Sequence, residues 1–338
     1  MSNSNLAKAR PGAVTIHDVA ALAGVSLVTV SRAINDPRQL SAKTLAKVLA
    51  AVERTGYVPN ISAGSLRSSR TRLIAAFVPN LQAHFASMIQ SMTNRFAEHR
   101  YQVLMGQIGY SMEQEAAMLR TVVGRRPDGI VLTGVTHSPE ARRLLADSGI
   151  PVVETWDLTS DPIDMLVGFS HEETSADVCR FLAGKGRRRL GIISGDDIRS
   201  VRRNDAFVAT ALGMGLALPF VLMVPAPTTH ASGRMALASM LAGRADIDAV
   251  YCSSDTLAMG VLTEARMRGI AVPQQLSVVG SGDLDFAATL EPSLTTVRID
   301  GDLLGRAAAD FIIDRLEGRP RAEKSVKLRL PIIQRNSA

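Results

Sequence analysis

The stretch TIHDVAALAGVSLVTVSRAIN at residues 15–35 decides the fold of the N-terminal part of the chain. Ala20, Gly24 and Val30 stand at the spacing of a helix-turn-helix. A small side chain at Ala20 lets two helices cross closely, and Gly24 can adopt the left-handed backbone that ends the first helix. The pattern therefore predicts two short helices joined by a tight turn, with Val30 on the buried face of the second.

A third helix is predicted at Ala42–Thr55, because apolar residues recur there every three or four positions. These residues are Leu45, Val48, Leu49 and Val52. Side-chain oxygens suited to capping the three helices stand at Thr15, Ser26 and Ser41. The three segments predict a small helical domain at residues 14–58, which we call the headpiece.

Positive charge is concentrated at the start of the chain. Residues 1–72 contain ten Lys and Arg and three acidic residues, whereas the rest of the chain contains 28 basic and 29 acidic residues. A basic module joined to a nearly neutral one is typical of a phosphate-binding domain attached to a body with another task.

The segment from Thr15 to Leu66 resembles the DNA-binding part of the LacI family of repressors, because LSAKT and GYVPN follow the stretch quoted above. The resemblance implies that Leu27, Val28 and Arg32 face base edges in the major groove of an operator. An arginine can donate two hydrogen bonds to guanine, whereas the two apolar side chains favour thymine methyl groups. The other headpiece residues implied to bind DNA, mainly through phosphates that set the register, are Thr15, Ser26, Ser31, Asn35 and Tyr57.

Residues 59–72 form a polar, basic connector that the resemblance identifies as a hinge. In the family this segment becomes a short helix on DNA and inserts a leucine into the minor groove, which bends the duplex. Asn60, Ala63 and Leu66 occupy the corresponding DNA-binding positions. We expect the hinge to order only on DNA, and the alternative is a linker with Leu66 packed against the body. Residues 1–13 are predicted to be a disordered arm.

From Leu73 to the C-terminus, apolar strands alternate with amphipathic helices, which predicts α/β layers with parallel sheets. Two such series predict two doubly wound subdomains, with a ligand cleft at the carboxyl ends of their strands. The resemblance continues here and implies a periplasmic-binding-protein-like body at residues 73–338 that binds an effector and dimerises. Its interleaved subdomains are expected at roughly 73–170, with part of the C-terminal region, and at 171–298.

The body lacks the motifs of the common enzyme classes. It has no G-x-x-x-x-G-K-S/T loop, no H-E-x-x-H and no G-x-S-x-G, and its only near-match to a dinucleotide fingerprint fails at the last glycine. We therefore expect no catalysis, no cofactor and no metal. Cys179 and Cys252 stand in apolar stretches and are expected to be buried thiols. With no secretory signal and no membrane-length apolar run, the chain is predicted to be cytoplasmic.

Effector-binding residues are assigned by the resemblance. Arg203 stands four residues before Phe207, matching the spacing of the family's effector-binding arginine, with Arg202 as the rival. The other effector-binding positions are His84, Phe85, His137, Trp156, Asp157, Ser254 and Asp283. The family often has Asn-Asp at Ser254-Asp255, and its ligand carboxylate near residue 282 is here lost or displaced to Asp283. For Asp255 we favour helix capping over ligand contact.

Residues 106–157 are most similar to the gluconate-utilisation branch of the family, with Thr136-His137 and Val167-Gly168-Phe169 as the features that indicate it. The resemblance implies a homodimer that represses carbohydrate genes from a pseudo-palindromic double-stranded operator. Its effector would be a small sugar or sugar acid such as gluconate or a ketogluconate. The alternatives are a solute-binding protein for transport, which needs a signal peptide, and an α/β sugar enzyme, which needs a catalytic set.

Overall fold

The computed structural model describes residues 14–58, 70–109, 111–243, 246–319 and 321–338. The chain divides into two compact units, the first ending at Thr71 and the second beginning at Arg72. The predicted arm and residues 59–69 of the predicted hinge, with Asn60, Ala63 and Leu66, lie outside the described residues.

The headpiece contains the three predicted helices, α1 (Ile16–Ala23), α2 (Leu27–Asn35) and α3 (Ala42–Thr55). Helices α1 and α2 are bent by 104° relative to each other. Gly24 ends α1 with φ 59°, a left-handed conformation that costs glycine little. Ser26 and Ser41 accept hydrogen bonds from the backbone N–H groups of Thr29 and Thr44, which confirms both predicted caps.

The contribution of α3 to the headpiece core differs from the prediction at one residue, because Ala51 takes the place expected for Leu49. Val19, Ala23, Val30 and Val48 are fully or almost fully buried, as expected. The prediction for Leu49 was wrong, because its side chain is 50% exposed. Val48 sets the buried phase of α3, so the next residue points about 100° away, and Ala51 fills the core one turn later.

The body begins with a six-stranded parallel sheet among the described residues, and we call this sheet and its helices the first lobe. Along the sheet its strands are β11 (Ser325–Lys327), β5 (Met165–Gly168), β4 (Val152–Thr155), β3 (Gly129–Thr133), β1 (Leu73–Val78) and β2 (Gln102–Gln107). Its helices are α4 (Ala83–Glu98), α5 (Met112–Val123), α6 (Pro139–Ser148) and α11 (Gly301–Leu316).

The second lobe is built on the other six-stranded sheet of the described chain, parallel except for its last strand. Along the sheet its strands are β12 (Ile332–Ile333), β10 (Thr295–Arg298), β9 (Ser277–Gly282), β8 (Ala249–Cys252), β6 (Leu190–Gly195) and β7 (Phe220–Val224). Its helices are α7 (His171–Gly184), α8 (Ile198–Gly213), α9 (His230–Gly243) and α10 (Asp255–Met267). Two doubly wound lobes are the predicted fold class, and the structure confirms it.

The chain crosses between the two sheets three times. It leaves the first sheet after β5, returns from β10 through α11 to β11, and crosses back to β12. Helix α11 packs against α4 because glycines let the backbones approach closely. A Cβ at Gly305 would lie 2.9 Å from the backbone nitrogen of Met92. Strands β11 and β12 could not be located from the sequence, since three and two residues are too few to show a period.

Five non-glycine residues of the described chain have a left-handed backbone. Trp156 and Asp283 follow strands β4 and β9, at the ends that face the cleft, with φ 74° and 56°. Arg72, Arg100 and Arg126 precede strands β1, β2 and β3, at the opposite edge of the first sheet, with φ 57°, 63° and 50°. This conformation costs an L-residue roughly 1–2 kcal/mol, so each position calls for a reason.

Within the part of the chain that the structure describes, no single helix is long and apolar enough to cross a membrane. Among the described helices, the sharply bent pair Ile16–Ala23 and Leu27–Ile34 passes that test jointly, by length and composition alone.

Candidate DNA interface and interlobe cleft

Helix α2 presents the predicted reading residues on the surface of the headpiece. Leu27 and Val28 are 37% and 51% exposed, and Arg32 is exposed as well. Val30, which shares the helix, is fully buried and fixes which face points outward. Two apolar side chains beside a guanidinium match the chemistry of thymine methyl groups and guanine edges in the major groove.

The predicted phosphate contacts fall into two groups. Thr15 and Ser26 cap helices: Thr15 donates to the Asp18 carboxylate from its backbone nitrogen at 2.8 Å and its hydroxyl at 2.7 Å, and these bonds lower the pKa of Asp18. Ser31 lies half-buried on α2, and Asn35 is its last residue. Tyr57 follows α3 and packs against the headpiece core. Their contacts with DNA stay predictions.

The carboxyl ends of the strands in the two lobes meet at two adjoining cavities. The smaller, of about 60 Å³, lies between the lobes and is lined by aromatic side chains from one lobe and polar side chains from the other. The larger, of about 200 Å³, extends toward helix α5. Asp197 and Arg199 line both cavities. Across the smaller one, the side-chain amide of Gln82 donates to the carbonyl oxygen of Thr228 at 2.6 Å.

Aromatic rings form the wall of the smaller cavity on the first lobe. The ring centroid of Trp156 lies 4.6 Å from that of Phe85 and 5.6 Å from that of Phe169. His171 continues the cluster at 4.9 Å from Phe169. Phe85 and Trp156 were predicted as effector contacts, and the structure brings them together. His84 precedes Phe85 in the first turn of α4.

Arg203 enters the smaller cavity from helix α8, held by two polar groups. His171 Nε2 lies 3.1 Å from the carbonyl oxygen of Trp156, which can only accept, so this nitrogen carries the proton. His171 Nδ1 then accepts from Arg203 at 3.1 Å, and Ser200 Oγ accepts from Arg203 at 3.3 Å. Burial and the nearby guanidiniums lower the pKa of His171 well below its usual value, so its ring stays neutral.

Asp197 anchors this end of α8. Its carboxylate accepts from the backbone nitrogens of Arg199 at 3.0 Å and Ser200 at 3.1 Å, and it lies 3.6 Å from Arg199 Nε. Burial raises the pKa of Asp197, but the positive charges of Arg199 and Arg203 outweigh it and the pKa is lowered. Sequence reasoning missed Asp197, Arg199 and His171. A signal for Asp197 existed, since an acidic residue directly before a helix is a typical cap.

The larger cavity has a buried acid–histidine cluster in its wall. His137 Nδ1 donates to Glu115 at 2.8 Å, and its Nε2 lies 3.2 Å from Glu154. Burial lowers the pKa of His137, but the two carboxylates outweigh it and raise the pKa to about 9. The buried hydroxyl of Thr133, which lines the same cavity, has no hydrogen-bond partner among the described residues. Such a group is available to a ligand.

Asp157 lines the larger cavity and pairs with Arg202, the rival that the sequence left open for Arg203. Arg202 also lies 3.2 Å from Glu172, so two carboxylates engage it. Burial raises the pKa of Asp157, although its bonds to Arg202 and to the backbone of Leu158 oppose that change. Of the two arginines, Arg203 rather than Arg202 lines the smaller cavity.

Ser254, not Asp255, caps helix α10, so the capping role favoured for Asp255 was wrong. The Ser254 hydroxyl accepts from the backbone nitrogen of Leu257 at 3.2 Å while lining the smaller cavity. Asp255 is fully buried and accepts from Leu284 N at 2.7 Å and Thr296 Oγ1 at 2.5 Å. Burial raises its pKa to about 6. Asp255 therefore ties the loop after β9 to β10 beneath the cleft.

Asp283 is held by two arginines. Its carboxylate oxygens lie 2.6 Å from Arg298 Nε and 2.6 Å from Arg335. It does not line either of the two cavities described above, so its predicted contact with an effector has no support from the cavity geometry. In the described residues, no group of three or more His, Cys, Asp or Glu could hold a metal ion.

Comparisons with known proteins match the headpiece and the carboxyl-terminal part of the body to known families. Residues 15–60 match the family described as bacterial regulatory proteins, lacI family, and residues 179–338 match a periplasmic binding protein-like domain. The chain is 31% identical over 329 residues to the HTH-type transcriptional regulator GntR of Pseudomonas aeruginosa, covering 96% of each chain.

Solved structures give the same result. A LacI family transcriptional regulator from Silicibacter pomeroyi is 31% identical with a TM-score of 0.90, over 96% of this chain and 99% of that chain. A complex of the transcriptional regulator CelR with cellobiose is 27% identical with a TM-score of 0.69, over 96% of this chain and 100% of that chain.

Proposed function

The chain belongs to the LacI family of bacterial regulatory proteins, and from that membership we propose that it represses carbohydrate genes under the control of a small sugar acid. As a member of this family it is a DNA-binding transcriptional regulator and not an enzyme. The proposal concerns the sign of its regulation, its effector and the residues that recognise each partner.

For DNA, we propose that a homodimer binds a pseudo-palindromic operator with two headpieces. In each headpiece, Arg32 reads a guanine while Leu27 and Val28 contact thymine methyl groups. The exposure of these three side chains on one face of α2 supports the assignment. Thr15, Ser26, Ser31, Asn35 and Tyr57 would then set the register on phosphates, as the family resemblance implies.

For the effector, the observation that carries the proposal is the Arg203 guanidinium in the smaller cavity, held by a neutral histidine and a hydroxyl. A guanidinium binds a carboxylate through two parallel hydrogen bonds. Arg199 adds a second positive charge, against the single carboxylate of Asp197. The net positive charge of this cavity favours an anionic ligand group.

The larger cavity is suited to the uncharged part of the same ligand. Thr133 offers a hydroxyl without a partner in the described chain, and Asp157 offers carboxylate oxygens. Both groups can bond the hydroxyls of an open-chain polyol. A sugar acid such as gluconate has a carboxylate at one end and hydroxyls along its length. The similarity to GntR and to the gluconate-utilisation branch supports this class, and CelR in its cellobiose complex holds a sugar.

Calorimetric titration of the full-length protein tests the effector class. We expect gluconate and 2-ketogluconate to bind and glucose, which lacks the carboxylate, to bind at least tenfold more weakly. Arg203→Gln should weaken gluconate binding at least tenfold, because charge-assisted hydrogen bonds contribute about 1.5–3 kcal/mol. Arg143→Gln, which removes an exposed arginine of helix α6, is the matched control. Binding of glucose or purines alone would overturn the proposal.

For regulation, we propose that the effector closes the lobes and releases DNA. A ligand that contacts Trp156 on one lobe and Arg203 on the other stabilises whichever lobe arrangement brings them together. The bond from Gln82 to Thr228 spans the same gap and would stabilise the closed arrangement. Gel-shift titration with gluconate should therefore show loss of the DNA complex. Tighter DNA binding in the presence of gluconate would show instead that the effector promotes DNA binding.

A further inference from the structure

The amino-terminal ends of the strands of the first sheet, on the side opposite the cleft, carry a cluster of arginines. Arg72, Arg100 and Arg126 precede strands β1, β2 and β3 by one, two and three residues. The three strands are parallel neighbours, with Leu73 paired to Gln102 and Ile74 paired to Gly129. Their amino-terminal ends therefore meet at one edge, and the arginines meet there with them.

These arginines are presented to the surface. Arg72, Arg100 and Arg126 are exposed, and Arg125 adds a fourth exposed guanidinium in the same turn. The guanidinium of Arg72 donates to the carbonyl oxygen of His99 at 3.4 Å and lies 5.1 Å from the centre of the Tyr101 ring. The Arg72 guanidinium therefore contacts a carbonyl dipole and an aromatic ring, and its positive charge can still bind an anion.

The acidic side chains nearest this edge already accept hydrogen bonds or form ion pairs. Asp128 is buried, and its carboxylate accepts from the backbone nitrogen of Arg72 at 2.9 Å. Glu98 pairs with Arg95 at 2.7 Å, and Glu317 pairs with His99 at 2.8 Å. The edge therefore has a local excess of positive charge on a body whose overall charge is close to zero.

The backbone at these positions is the second observation. Arg72, Arg100 and Arg126 have φ values of 57°, 63° and 50°, a region that favours glycine. After helices α6 and α10 the chain uses glycine in the same conformation, with Gly149 at φ 67° and Gly269 at φ 69°. Glycine would also fit the backbone at Arg100 and Arg126. Arginine at these two positions therefore bears a backbone cost that glycine would avoid, and it places an exposed guanidinium at this edge.

We propose that Arg72, Arg100, Arg125 and Arg126 form a phosphate-binding patch that contacts the backbone of the duplex bound by the headpiece. The body begins at Arg72, directly after the predicted hinge, so the headpiece is tethered to this edge and brings its duplex to the patch at high effective concentration. A guanidinium can donate two parallel hydrogen bonds to the oxygens of a phosphate. Such contacts do not depend on the base sequence of the DNA. The inference rests on the DNA binding proposed above and adds a contact made by the body.

The test compares full-length proteins on a 40-base-pair duplex that the wild type has enriched from a random pool. Arg100→Gly with Arg126→Gly removes two charges and relieves two left-handed arginines. We expect the slope of log affinity against log salt to become shallower by about 0.9 for each lost phosphate contact. We also expect a melting temperature equal to or above that of the wild type, which a purely structural role for these arginines would not give.

Arg143→Gln with Arg266→Gln removes two exposed arginines elsewhere on the body and is the matched control, expected to keep the wild-type slope. A glycine variant with the wild-type affinity and slope would overturn the patch, and so would weaker binding accompanied by a lower melting temperature. If the patch instead binds an acidic protein, the glycine variant will keep the wild-type salt slope on DNA, and that result would also overturn the proposal. If the wild type enriches no duplex at all, the proposed DNA binding fails, and that outcome is distinct from failure of the patch.

Discussion

The exposed face of helix α2 and the interlobe cleft differ in how far their proposed contact residues are exposed. In the headpiece the proposed contacts are made by exposed side chains, with Val28 51% exposed beside a buried Val30. In the cleft they involve side chains enclosed between the two lobes, with Trp156 4% exposed and Arg203 half-buried. The headpiece can therefore separate recognition from stability, whereas groups in the cleft contribute to both.

This difference in exposure also affects the pKa values of the charged groups and their contribution to stability. On α2, the side chain of Arg32 is exposed, so its charge costs the fold little. In the cleft, burial and neighbouring charges move the pKa values of His137, His171 and Asp197 in different directions. Changes on α2 should alter DNA binding alone, and changes in the cleft should alter stability and its pH dependence as well.

The largest expected effect tests the headpiece side of this comparison. Arg32→Ala should weaken operator binding by about 1–3 kcal/mol for each headpiece, since a bidentate guanine contact is lost. The free energy of unfolding should change by less than about 0.5 kcal/mol, because the side chain is exposed. Fluorescence anisotropy and urea unfolding measure the two quantities. Arg38→Ala, at a side chain 96% exposed in the turn after α2, is the control. A large loss of stability would break the comparison.

The second prediction concerns pH and the cleft. The folded pKa of His137 is about 9, above its ordinary value of 6.5, so its stabilisation is complete below about pH 6.5 and is lost as pH rises through about 9. That loss amounts to about 3 kcal/mol. Glu115→Gln removes one partner and should move the loss to lower pH in urea unfolding between pH 6 and 10.

His230→Gln, which removes a half-buried histidine bonded to Thr263, should leave the wild-type profile unchanged. Identical pH profiles for wild type and Glu115→Gln would show that the cluster around His137 does not couple the cleft to stability.

The smallest expected effect asks whether the body depends on close packing away from the cleft. Gly305→Ala should destabilise the protein by about 1–3 kcal/mol, since the new Cβ would meet the backbone of α4. Gly184→Ala, at the end of α7, has open space around it and should stabilise by up to about 1 kcal/mol. Thermal unfolding distinguishes the two, and a neutral Gly305→Ala would mean that the α4–α11 contact can relax.

The headpiece was predictable because its rules are local. The caps Ser26 and Ser41, the glycine after α1 and the buried phase of α2 each follow from a few neighbouring residues. The one error, Leu49, came from an apolar residue beside the true core position. Base contacts were assigned from the family resemblance, and the exposure of α2 is consistent with them.

The cleft was only partly predictable, because its residues are distant in sequence. Phe85, Trp156 and Arg203 were named in advance and line one cavity. Arg199 and His171 were missed, since alone each looks like an ordinary residue in the first turn of a helix. The ion pairs of Asp283 with Arg298 and Arg335 join chain segments that sequence spacing cannot relate.

The three crossings between lobes also determine when each part of the protein can be completed during synthesis. The headpiece has emerged once α3 is made, but the first sheet lacks its edge strand until residue 327 and the second until residue 333. At about 5–20 residues per second, the DNA-reading module precedes both finished lobes by roughly 15–55 s. A prematurely terminated chain would thus keep an intact headpiece while leaving both halves of the sensing body incomplete.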